Sequence, residues 1–82
     1  MDRKDKIKIA WINLVYCTSF SSVDEVPTYF LQMANLHSQK AHIEAIVVNA
    51  TNRKLTSGAI QRICGITRGR IKLIRDRLIH SE

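Results

Sequence analysis

Acidic side chains are scarce in this 82-residue chain, where seven Asp and Glu stand against thirteen Lys and Arg for a formal net charge of +6. Such an excess favours polyanionic partners over basic ones. The two cysteines, Cys17 and Cys64, allow at most one disulfide and form no close-spaced metal pair, so a reduced, cytoplasmic setting is expected. With one proline and three glycines, and with no internal repeat, low-complexity tract or Gly/Ser-rich linker, nothing divides the chain, and residues 1–82 read as one domain. The longest apolar stretch, from Ile9 to Cys17, is interrupted by Asn13 and falls well short of the ~20 residues of a membrane-spanning helix. Asp2 and Asp5 interleave with the N-terminal lysines and no small-residue cleavage site of the usual form follows, so a secretory signal is not expected.

Chemistry-bearing motifs are absent as well. The chain carries no glycine-rich phosphate loop, no G-x-S-x-G elbow and no spaced carboxylate pair, so it is not expected to be an enzyme. His37, His42 and His80 offer no metal constellation, and no cofactor or small-molecule ligand is implied. Cys64 reads as a small buried hydrophobe before it reads as a redox switch.

What is present is a normal apolar share, 45%, and a charge concentrated at one end. Arg53, Lys54, Arg62, Arg68, Arg70, Lys72, Arg75 and Arg77 are opposed within their stretch only by Asp76, a local net of +7, while the rest of the chain nets −1. Such a field releases the counterions of nucleic acid and supplies affinity without sequence preference. Its bland counterpart is a solvated helix face.

The predicted fold is mainly α, a small helix-turn-helix domain of four to five helices. Residues 6–17 fit two periods: Ile7, Ala10, Trp11, Leu14 and Val15 follow a helical stripe, whereas Lys6-Ile7-Lys8-Ile9 alternates like a strand. Helix and strand both remain open there. The segment is too apolar for a free arm, and residues 1–20 are expected to pack on the domain or on a second copy, with Ile9, Trp11, Leu14 and Tyr16 at a dimer interface. Ser22-Val23-Asp24-Glu25 has the form of a capping box, Pro27 suits a first helical turn, and Val26, Tyr29, Phe30 and Met33 mark one apolar face ending near Asn35 or Leu36. Ser38 is expected to cap a further helix with Ile43, Ile46, Val47 and Ala50 inward, followed by a polar connection over residues 49–55.

Residues 56–79 read as two short helices around a tight turn. Thr56 or Ser57 caps the first, Ile60 and Ile63 face inward, Gly65 takes a left-handed turn position, Ile66 plugs the space between the helices and Thr67 caps the second. On the second helix Ile71, Ile74 and Leu78 form a buried stripe, with Arg68, Lys72 and Arg75 on another face. In a helix-turn-helix the second helix enters the major groove, which makes Thr67, Arg68, Arg70 and Lys72 candidates for base or groove contacts. Arg68 is suited to guanine O6 and N7. Arg53, Lys54, Arg62, Arg75 and Arg77 are candidates for phosphate contacts.

The layout from Tyr29-Phe30-Leu31 through Leu36-His37-Ser38 and the helix over residues 43–48 to the Gly65 turn and Leu78-Ile79 resembles the PapB family of fimbrial adhesin regulators, over about two thirds of the chain. The Gly-Ile-Thr-Arg-Gly run over residues 65–69 is similar to plasmid KorA-type repressors. Both resemblances imply a dimeric or oligomeric transcriptional regulator that binds double-stranded DNA. The fimbrial one implies cooperative binding at several AT-rich sites, with the minor groove as a route. Arg68 and Arg70 would then enter a narrow groove over A·T tracts, and the residues themselves leave either groove open. The rival from another class is a protein-interaction module whose basic helix docks on an acidic protein. RNA is disfavoured, because the five aromatic residues all lie outside the basic segment.

Overall fold

The N-terminal segment settles as helix α1, Arg3–Tyr16. The computed structural model describes residues 2–80, with side chains through Leu78, so the His80 imidazole and residues 1, 81 and 82 of the single-domain reading lie outside the described residues. Asp2 caps α1 by accepting from the Lys4 amide at 3.4 Å, and Asp5 complements the positive end of the helix dipole. Both periods fitted this segment because the helix is enclosed on most sides: Ile7 and Ile12, about 140° apart at 3.6 residues per turn, are both fully buried. A helix buried from several directions loses its stripe.

Four more helices follow among the described residues: α2 at Thr28–Asn35, α3 at Gln39–Asn52, α4 at Ser57–Cys64 and α5 at Arg68–His80. The protein is a small, mainly α domain, and none of these helices is long and apolar enough to cross a membrane. α1 packs against α2, α3 and α4, while α5 is held by α3 and α4. Ile7, Ile12, Ile43, Ile46, Val47, Ile60, Cys64, Ile66 and Ile71 form the fully buried centre.

Burial places the residues expected at a dimer interface against the chain's own core. Ile9 is 5% exposed and Trp11 8% within a single protomer, and Leu14 and Tyr16 pack against the same core. Ile9 and Trp11 are thus covered by their own chain, while Leu14 and Tyr16 are half-buried. Trp11 lies 5.0 Å from the His42 ring centroid, 5.4 Å from His37 and 6.0 Å from Tyr16, and Tyr16 in turn lies 4.8 Å from Phe30. This aromatic cluster ties α1 to α2 and to the start of α3.

The approach to α2 departs from the expected capping box. Ser22 makes no side-chain cap, Val23–Glu25 forms one 3₁₀ turn, and Glu25 Oε2 accepts from the Ser21 amide at 3.4 Å. Pro27 stands at the N-cap itself, one place before the first turn. Tyr29 is exposed, since the short α2 buries only its Phe30 side against Tyr16 and Phe20. The expected cap of α3 is present, with Ser38 Oγ accepting from the Ala41 amide at 3.1 Å. α3 runs on to Asn52, which shortens the polar connection expected from residue 49. Asn49 is inside the helix and donates from Nδ2 to the Ala45 carbonyl at 2.8 Å.

Two polar residues carry more of the fold than their neighbours. Asn13, the interruption in the apolar run, accepts at Oδ1 from the Thr18 hydroxyl at 2.8 Å and the Phe20 amide at 3.0 Å, and donates from Nδ2 to the Phe20 carbonyl at 3.0 Å. It thereby folds residues 18–20 back over the end of α1, where Cys17 adopts a left-handed φ of 55°. His42 is buried, and its Nε2 lies 2.8 Å from the Ala34 carbonyl. A carbonyl only accepts, so the proton sits on Nε2. Burial lowers the His42 pKa below its ordinary value, the bond to Ala34 opposes that shift, and the nearby His37 and Lys8 charges add to it.

Three outcomes follow from these positions. Asn13→Ala removes three bonds and is expected to cost about 2–3 kcal/mol in urea unfolding. Cys17→Gly relieves the left-handed strain and is expected to add up to about 1 kcal/mol. Because the folded state binds the His42 proton less tightly than the unfolded state, stability is complete above about pH 6.5 and declines as pH falls through that value towards the lower folded pKa. The urea midpoint is therefore expected to drop between about pH 7.5 and about pH 5.5. His42→Gln, which keeps a donor for Ala34, should flatten that profile; an equally steep slope in the variant would assign the titration elsewhere.

Candidate nucleic-acid interface

The helix pair is set by caps that the residue types dictate. Thr56 Oγ1 accepts from the Ala59 amide at 3.2 Å to start α4, and Gly65 ends it at φ 75° with its amide donating to the Gln61 carbonyl at 2.7 Å. Thr67 Oγ1 then accepts from the Arg70 amide at 3.3 Å and starts α5. Ile66 is fully buried between the two helices, with Ile71 and Ile74 on the inner side of α5. The Cys64 thiol is also fully buried, donates to the Ile60 carbonyl at 3.1 Å and has its pKa raised, chiefly by burial. It is a packed core atom, not a reactive thiolate.

Before α4 the chain leaves α3 through a Schellman turn. The Leu55 amide donates to the Ala50 carbonyl at 2.9 Å and the Lys54 amide to Thr51 at 2.9 Å, with Lys54 left-handed at φ 61°. Arg53 and Lys54 are exposed on this turn.

The eight basic residues do not share one surface. Gly58, Gln61 and Arg62 fall at i, i+3 and i+4 on the outer side of α4. Arg68 reaches across to them, its Nε donating to Gln61 Oε1 at 3.2 Å. Lys72, one turn after Arg68, is exposed on the same flank of α5. Arg62, Arg68 and Lys72 therefore belong to one face, and the positive end of the α5 dipole, capped by Thr67, adds to it. Asp76 lies about 12 Å further along α5 than Arg68 at 1.5 Å per residue, so the polyanion-attracting part is the N-terminal half.

Three of the expected contacts fall elsewhere. Arg70 is about 160° round the helix from Lys72 and lines a groove between α3 and α5, together with Lys40, Leu73 and Arg77. It is thus separated from Arg68, with which a shared base-reading role was expected. Arg75 is turned into the fold: its Nη2 lies 3.5 Å from the Leu55 carbonyl, and its buried Nε has no partner among the described residues. Arg77 donates to Glu44 Oε1 at 2.6 Å, so a carboxylate from α3 already answers its charge. Neither Arg75 nor Arg77 is presented as the free phosphate-binding cation that spacing alone implied.

Leu73, 72% exposed, stands on the outer side of α5 above the groove, whose volume is about 480 Å³. Residue types had not singled out Gln61 or Gly58. Their signal was their i, i+3 spacing on the polar side of α4, with a glycine in a first turn where alanine favours the helix. The His37 and His42 rings lie 6.4 Å apart, closer than their separation along the chain suggested, because His37 sits in the α2–α3 turn. No group of three metal-ligating side chains occurs among the described residues. Comparison of the chain with protein-family models, with curated proteins and with solved structures finds no match.

Proposed function

We propose that this protein binds duplex DNA through the joint outer face of α4 and α5 and acts as a regulator of transcription. The observation that carries this reading is the convergence of Arg62, Arg68 and Lys72 on the outer side of a capped helix-turn-helix, with no carboxylate on α4 or on the first two turns of α5. Thr67 and the N-terminal turn of α5 approach the base edges, Lys72 follows one turn behind, and Arg62 with Arg53 and Lys54 holds phosphates on the flank. Arg70 moves from base reading to the opposite phosphate wall, because a helix lying in the major groove meets a backbone on each side. The resemblance to fimbrial regulators adds control of an adhesin operon and assembly of several copies on one DNA segment. A second copy would have to meet the first through a surface other than the α1 core.

A salt titration of binding to duplex DNA tests this reading. Lys72→Met and Arg62→Met are each expected to weaken binding to every duplex and to lower the salt slope by about 1, the signature of one lost phosphate contact. Arg75→Met, which removes a guanidinium engaged inside the fold, is expected to leave duplex affinity within about twofold. Equal losses in all three variants would return Arg75 to the interface. Weak binding to every duplex, erased by salt, would move the basic helix to an acidic protein seated over Leu73 and the α3–α5 groove.

A further inference from the structure

We propose that Gly58 and Gln61 form a seat on α4 that holds the Arg68 guanidinium as a guanine reader in the major groove, an inference that rests on the duplex-DNA reading above. Gln61 Oε1 takes the Nε hydrogen of Arg68 at 3.2 Å. The remaining donors are those of Nη1 and Nη2, which make no hydrogen bond among the described residues. That two-nitrogen edge matches two acceptors side by side. Guanine offers O6 and N7 in the major groove, whereas adenine offers N7 beside an amino donor that a guanidinium repels.

Gly58 supplies the space. A methyl group at this position would stand 3.0 Å from Arg68 Nη2 and 3.6 Å from Cζ. The backbone of Gly58 is ordinary helix, so its conformation does not call for glycine, and alanine is the better helix former. What the missing side chain leaves room for is the guanidinium. Gly69, by contrast, has nothing within 4 Å of such a methyl. The contact at Gly58 therefore belongs to that position and is not general to the glycines of the pair.

The seat also selects the groove. A guanidinium laid back against α4 does not extend beyond the outer side of the helix pair, so it meets base edges only where α5 itself enters the groove, and a helix about 10–12 Å across enters a major groove about 12 Å wide but not a minor groove about 6 Å wide. Minor-groove reading needs an arginine that extends away from its scaffold. Arg68 is instead tethered to its scaffold by its own Nε. Gly58 and Gln61 are thus positioning residues, and a fixed guanidinium loses less freedom on binding than a free one.

The test uses the full chain, first to select duplexes from a random pool and then to measure binding to the selected site with its guanine altered. Replacing guanine by 7-deazaguanine removes N7 and is expected to weaken binding about tenfold or more, while hypoxanthine, which keeps O6 and N7 and loses only the minor-groove amino group, should bind within about twofold. Gly58→Ala and Gln61→Ala should each reduce the preference for guanine over adenine about tenfold while the salt slope stays unchanged, since neither removes a charge. Circular dichroism and urea unfolding establish that both variants are folded. Selection of sites without a fixed guanine, tolerance of 7-deazaguanine, or full guanine preference in Gly58→Ala would overturn the seat while salt-dependent duplex binding still stands. Failure to bind any duplex at low salt would take down the duplex reading together with it.

Discussion

The enclosure of α1 is the constraint on which the rest depends. One helix, buried from several directions, takes up the inner faces of α2, α3 and α4 at once, with Ile7 and Ile12 at its centre and Trp11 under the aromatic cluster. In an 82-residue chain this is an economical way to build a core, because a central helix buries surface in several directions without lengthening any element. The consequence for α5 is geometric. With α1 occupied elsewhere, α5 is held by α3 and α4 through Ile66, Ile71 and Ile74, and its far side carries no packing duty. Polar and charged side chains can stand there without disturbing the core.

Legibility followed the same division. α3 and the α4–turn–α5 unit were readable because each element has one inner face and a cap of the right type, Ser38, Thr56 and Thr67, whose hydrogen bonds are all present. Periodicity reports one-sided burial, and these helices are buried on one side. α1 defeated it because burial from several directions erases the polar phase that distinguishes a period near 3.6 from a period of 2. The apparent capping box failed for another reason. Ser22 and Glu25 have the right spacing, but Pro27 cannot donate to a continuing helix and Val26 is drawn into the core first, so the chain closes one 3₁₀ turn and starts α2 afresh.

The site was legible in composition and illegible in direction. Counting charges placed a net of +7 over residues 53–77, yet three of those cations are spent within the protein or turned aside. Arg75 reaches the Leu55 carbonyl, Arg77 meets Glu44 from thirty-three residues upstream, and Arg70 lies over the groove beside α3. None of these partners is near in sequence, so no local pattern announces them. Asn13 illustrates the same limit from the opposite side. A lone amide in an apolar run looks like a blemish, and only the returning loop at residues 18–20 shows that it is the joint holding that loop.

A distinction between kinds of positive charge follows from this geometry. Arg53, Lys54, Arg62 and Lys72 are exposed side chains without a fixed partner among the described residues, and such cations supply attraction that depends on salt and is indifferent to sequence. Arg68 differs because one of its nitrogens is already committed to Gln61 and its end fits the gap above Gly58. A cation held in one place loses adaptability and gains discrimination, since a mismatched base leaves its donors facing another donor. On the proposed duplex-DNA reading, mobile charge on the flank with one fixed guanidinium at the start of α5 would divide the work between affinity and selectivity. The same reading would give the glycine at position 58, a poor helix former in a capped first turn, a use that its own helix does not reveal: it leaves the room that the Arg68 guanidinium occupies.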